Sequence, residues 1–291
     1  MSGPLTHCKA RLEWAREHIS QLRALNAEFQ ATKPYQVIGE YDSSSGWFTV
    51  QLKASPVPNR VALLIGDILH NLRSTLDHLL WQPTIANGHV PDTFPLPKKS
   101  KWADLQFPIV DSPQAYANVA NRRLWGISQQ SRDRIERFQP YNMAPNPGDV
   151  SVIWMLRELS NVDKHRLPNV AVGWLHWCRI VGPPLMAGQT SLAELRSPNW
   201  PGPFGEDTEI IGMRFDPPLR FMPELGKGFQ VELETDIVFH EGNGIGQGMP
   251  VIETLDVMES LVHAIVYGSG KHVGSNPWHT HVKGVMTTTW I

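Results

Sequence analysis

Residues 59–82 read Asn-Arg-Val-Ala-Leu-Leu-Ile-Gly-Asp-Ile-Leu-His-Asn-Leu-Arg-Ser-Thr-Leu-Asp-His-Leu-Leu-Trp-Gln. Val61, Ile65, Ile68, Leu72, Leu76 and Leu79 recur every three or four residues, and Leu69 and Leu80 widen the stripe. That period predicts an amphipathic helix with one face in a core. Pro83 is expected to stop it, because proline has no amide hydrogen and crowds the preceding turn. The opposite face is chemically unusual. At about 100° per residue, Asp67, His70, Asn71, Ser74, Asp77 and His78 share one sector. A plain solvated face carries Lys, Glu, Gln and Arg, which favour helices; Asp, His, Asn and Ser favour them less. Hydrogen bonds to a neighbouring element would account for that choice. So would a site.

The flanking sequence extends the pattern. In residues 7–31, Leu12, Ala15, Ile19, Leu22 and Phe29 fall on one helical face, with Thr6 as a cap and Lys33-Pro34 as a stop. Residues 35–41 and 47–53 read as a hairpin turned by Asp42-Ser43-Ser44-Ser45-Gly46. Residues 83–111 are Pro-rich and read as a surface loop. Asp111 or Ser112 precedes Pro113, and Ser128 precedes 129–138; both are helix starts. Residues 149–163 are a further helix. Beyond Leu167, residues 170–181, 209–215 and 229–240 favour strands, separated by a Pro/Gly-rich loop over 182–207. A last helix covers 251–267, and a loose, polar tail follows over 268–291. The expectation is one α+β domain over 1–291: a bundle of about four to six helices with an antiparallel sheet packed on one side.

Composition narrows the function classes. The chain has 291 residues, of which 41% are hydrophobic, so it can bury a sizeable core. A formal charge of −2 leaves no broad DNA footprint. Residues 1–9 are polar with no apolar run behind them, and the helix at 59–82 is broken by charge, so neither a signal peptide nor a membrane span is expected. Cys8 and Cys178 read as two reduced thiols of a cytoplasmic protein.

A second segment carries chemistry. Asn161, Asp163, Lys164, His165 and Arg166 close the helix ending at 163. Cations suit the negative end of a helix dipole, and the same cluster could bind a phosphate. Taken together, His70-Asn71-Leu72-Arg73-Ser74-Thr75-Leu76-Asp77-His78, Gln139-Pro140-Tyr141 and Leu159-Ser160-Asn161-Val162-Asp163-Lys164-His165-Arg166 resemble a group of bacterial proteins with no assigned activity. Arg73 and His78, with four residues between them, also resemble the Arg-x4-His pattern of the HEPN superfamily. Ser74 stands where that family often has another polar residue such as Asn, and the strand-rich region departs from its minimal bundle.

That resemblance implies a metal-independent ribonuclease of a toxin or defence type, acting on RNA as a homodimer and needing no cofactor. His78 would then perform acid–base work near neutral pH. Arg73 would hold phosphate oxygens through its planar fork, with Asn71 and Asp77 orienting the pair. Residues five apart diverge by roughly 140° around a helix, so a second copy would help to complete a clamp. Two other readings stand beside it. Asp67, His70, Asp77 and His78 have one-face spacing that suits a metal-dependent hydrolase, with Asp163, His165 or His263 completing a shell; His279 and His281 read as tail. A non-enzymatic binding protein would instead use aromatic surfaces such as Trp174-Leu175-His176-Trp177 or the loop around Trp200.

Overall fold

The computed structural model describes residues 5–89, 101–144, 146, 150–182, 191–196, 208–218, 230–241, 244–268 and 285–290. Its elements run α1 (Thr6–Ala31), β1 (Tyr35–Asp42), β2 (Trp47–Ala54), α2 (Asn59–Ala86), a 3-10 turn (Lys101–Asp104), α3 (Pro113–Arg123), α4 (Gln129–Arg137) and α5 (Pro140–Met143). They continue with α6 (Val152–Asp163), β3 (Val170–Gly182), β4 (Ser191–Arg196), β5 (Thr208–Asp216), β6 (Gln230–Phe239), α7 (Val251–Tyr267) and β7 (Val285–Trp290). The class is α+β, as the helical and alternating periods predict. Among the described residues no helix is long and apolar enough to cross a membrane.

The chain divides into two compact units, a division that its sequence does not mark. One comprises Met1–Ala24, Asn59–Pro168 and Ile252–Asn276; the other comprises Leu25–Pro58, Asn169–Val251 and Pro277–Ile291. The second unit holds the strands. Its antiparallel four-stranded sheet has the order β1-β2-β5-β4. A three-stranded sheet has the order β6-β3-β7, with β3 antiparallel to β6 and parallel to β7. The hairpin turn forms where expected: Asp42 accepts hydrogen bonds from the Ser44 amide and from the Ser44 and Ser45 hydroxyls. Those donors hold its carboxyl down at about 2. Two strands correct the sequence reading. β4 lies within the expected 182–207 loop, and β7 within the expected loose tail. Both are short, and each gains order by pairing with a longer strand; the Thr-rich β7 also has strong strand propensity.

The first unit is helical and centres on α2. Val61, Ile65, Ile68, Leu69, Leu72, Leu76 and Leu80 are all fully buried, which bears out the apolar stripe. The helix runs through Pro83 to Ala86 rather than stopping there. So near its end proline removes only one ladder bond. Within the helix Thr84 donates back to the Leu80 carbonyl, and just past its end Asn87 donates to the Gly126 carbonyl. Ser112, Ser128 and Ser151 cap α3, α4 and α6, each accepting from the backbone amide three residues on. The α6 cap is therefore Ser151, two residues later than its periodicity suggests.

The stretch 105–111 is the largest correction within this unit. Residues 90–100 lie outside the described residues, but Phe107 is wholly buried and Ile109 nearly so. This is an extended segment laid into the bundle, not a surface loop. A buried backbone must have its polar groups satisfied, and four side chains do this. Arg73 donates to the Phe107 carbonyl and Asp77 accepts from the Phe107 amide, both at 2.8 Å. Gln139, itself 0% exposed, accepts from the Val110 amide at 3.0 Å and donates to the Pro108 carbonyl at 2.9 Å. Arg157 donates to the Ile109 carbonyl and to the Asp111 carboxylate.

Candidate functional site

Helix α2 meets α1 and α6 in antiparallel register. Against α1, the buried Cys8 thiol donates to the Thr75 carbonyl, and Arg11 donates to the Asn71 side-chain oxygen at 3.3 Å. As residue numbers rise on one helix they fall on the other, so His7 arrives beside His78, with ring centroids 6.2 Å apart and a 45° tilt. Against α6, Ser160 donates to the Leu69 carbonyl. One turn on, Asp163 lies over Gly66, where a Cβ would come within 2.2 Å of its carboxylate. Glycine is what lets that carboxylate reach the backbone of α2.

The unusual face of α2 therefore divides three ways. Asn71 and His78 turn toward α1; Asn71 is buried and also donates to the Asp67 carbonyl. Asp67 and His70 are exposed, and Ser74 is half-buried with its hydroxyl 3.4 Å from the His70 ring. Asp163 faces this middle strip. Burial and the like charge of Asp67 push its carboxyl up, while His70 pulls it down. Arg73 and Asp77 turn the other way, toward Phe107, and lie 3.1 Å from each other.

That third direction gives Arg73 and Asp77, two of the expected catalytic residues, a structural task. The Arg73 side chain is 14% exposed and engaged with Asp77 and the Phe107 carbonyl, so it does not present an open fork to a phosphate. Burial pushes its pKa down, against the pull of Asp77. Burial likewise pushes the Asp77 carboxyl up, against Arg73, the Phe107 amide, Lys164 and His78. The pair belongs to the clamp on segment 105–111. Lys164, His165 and Arg166 follow the end of α6 and are exposed, with Lys164 donating to Asn161.

His78 remains on the open side. Desolvation, Arg11 and His7 all lower its pKa, with Asp77 opposing them. A histidine that resists protonation when folded costs stability in acid. The unfolded chain takes up the proton first, so stability is present above the ordinary histidine value and falls as pH drops through it. His78→Asn should therefore lose less stability than the parent between pH 7 and pH 5, read as the shift in urea midpoint.

His7 and Arg11 are the site residues that sequence reasoning missed. Their spacing of four, on one face of α1, was the available signal. Among the described residues, no group of three or more His, Cys, Asp or Glu side chains converges closely enough to hold a metal ion. Asp67, His70, Asp77 and His78 thus do not assemble into a shell: Asp77 serves Phe107 and His78 faces His7. His263 stacks on Tyr267 at 4.7 Å. Trp174 to Trp177 fall on β3, and Trp200, His279 and His281 lie outside the described residues. No protein-family model, no curated protein and no solved structure matches this chain.

Proposed function

We propose that the open face formed by His7, Arg11 and His78 is the centre of a metal-independent ribonuclease. One observation carries the reading: two imidazoles 6.2 Å apart, with the Arg11 guanidinium, held by Asn71 two turns back along α2, acting on the charge of His78. Phosphodiester cleavage without a metal needs a base, an acid and a cation, and this face supplies all three. Desolvation, Arg11 and His7 favour the neutral ring of His78, the form a base needs. It takes the proton of a ribose 2′-hydroxyl, and the 2′-oxygen attacks the adjacent phosphorus. As that bond forms, the bond to the 5′-oxygen breaks, and His7 delivers a proton to the leaving oxygen. The products are a 2′,3′-cyclic phosphate and a free 5′-hydroxyl. Arg11 stabilises the charge on the non-bridging oxygens.

This reading keeps His78 from the Arg-x4-His resemblance and replaces Arg73 by Arg11. It is tested by incubating the purified chain with a single-stranded RNA in EDTA. Cleavage that leaves cyclic phosphate ends is the expected result. Cleavage that needs added divalent ions, or none under either condition, overturns it.

A further inference from the structure

We infer that Trp81, Trp102 and Trp125 form a base-stacking platform for single-stranded RNA beside the histidine face; the RNA identity rests on the ribonuclease reading. Trp81 lies one turn beyond Asp77 and two turns beyond Ser74 on the same line of α2, so it continues the polar face toward the C-terminal end of the helix. Its ring meets Trp102 of the 3-10 turn at 4.6 Å, tilted by 51°. Trp102 meets Trp125 edge-on at 5.4 Å. His89 meets Trp125 edge-on at 4.9 Å. A cluster of this size would ordinarily be core. Here each of the three indoles is only half-buried, and His89 and Lys101 are exposed.

The chemistry around the rings selects the occupant. Lys101 places its ammonium 5.9 Å from the Trp125 ring centre, and Arg122, exposed on the adjoining helix, is paired only at the surface, with Asp104 at 3.7 Å. Aromatic faces bordered by cations match the way proteins hold single strands: bases stack and phosphates meet positive charge. Trp81 follows His78 by three residues on α2, and that closeness gives the platform a purpose. A base stacked one helical turn from His78 would fix the strand so that a neighbouring phosphate reaches the imidazoles.

The test separates stacking from charge and binding from cleavage. The ligand is a 12-nucleotide 2′-fluoro oligouridine, which lacks the attacking hydroxyl, and its counterpart carries the same phosphates with the central bases removed. Binding of each is read by fluorescence anisotropy. The wild type should bind the base-bearing strand about tenfold or more tightly over the abasic one. Trp125→Ala and Trp102→Ala should bring that ratio close to one, and Trp125→Phe should restore most of it by returning a ring. A wild-type ratio of one, or an unchanged ratio in both alanine variants, overturns the platform. The all-ribose strand, followed for cleavage in EDTA, tests the other reading. Base-dependent binding without cleavage leaves the platform standing and overturns the nuclease; cleavage without base dependence does the reverse.

Discussion

Asp77→Ala is expected to lower the stability of the chain by about 3–5 kcal/mol, the usual cost of removing one partner from a buried ion pair. Two losses combine. The Arg73 guanidinium, 14% exposed, loses its counter-charge, and the Phe107 amide loses its acceptor. Neither group can turn to bulk water without lifting segment 105–111 out of the bundle. Amide exchange should report this directly: the Phe107 and Val110 amides, held by Asp77 and Gln139, should lose protection first. The double variant Arg73→Met/Asp77→Leu should recover part of the loss, since apolar replacement of a whole buried pair is often neutral. If Asp77→Ala unfolds at the same urea concentration as the parent, the clamp does not hold the segment.

On the ribonuclease proposed above, His78→Ala and His7→Ala are each expected to slow RNA cleavage in EDTA by about 10²- to 10⁴-fold, the range for one acid–base group. Both rings are exposed, so stability should change by less than about 0.5 kcal/mol. That separation matters, because loss of Arg73 or Asp77 would abolish activity simply by loosening the bundle. The double histidine variant should lose less than the product of the single losses, as groups acting in one step are not additive. Undiminished cleavage by either single variant removes that histidine from the chemistry.

The sequence was most legible where one physical effect dominated. The α2 stripe was readable because six apolar residues keep strict helical spacing, and five of them are fully buried while Leu79 is half-buried. The hairpin was readable because Asp42 and its serines form a self-contained turn. β4 and β7 were not, since each is six residues long and gains its order from a partner distant in the chain. The Arg73–Asp77 spacing of four was in plain view as an ion pair. Its meaning was not, because nothing local shows that Phe107 will lie beneath it. His7 was hidden for a related reason. Only the register between α1 and α2, set by Cys8 on Thr75 and Arg11 on Asn71, brings it to His78.

The interleaving of the two units bears on how the protein can be made and dissected. The chain passes between them at 24/25, 58/59, 168/169, 251/252 and 276/277. Any single cut between Leu25 and Asn276 therefore leaves both units incomplete on each fragment. His7, Arg11 and His78 have all been synthesised long before α7, yet the unit that carries them is not whole until α7 emerges. A nascent chain thus holds every residue of the face without the finished scaffold beneath it. Complementary fragments should need to be mixed, and to refold together, before either unit is whole.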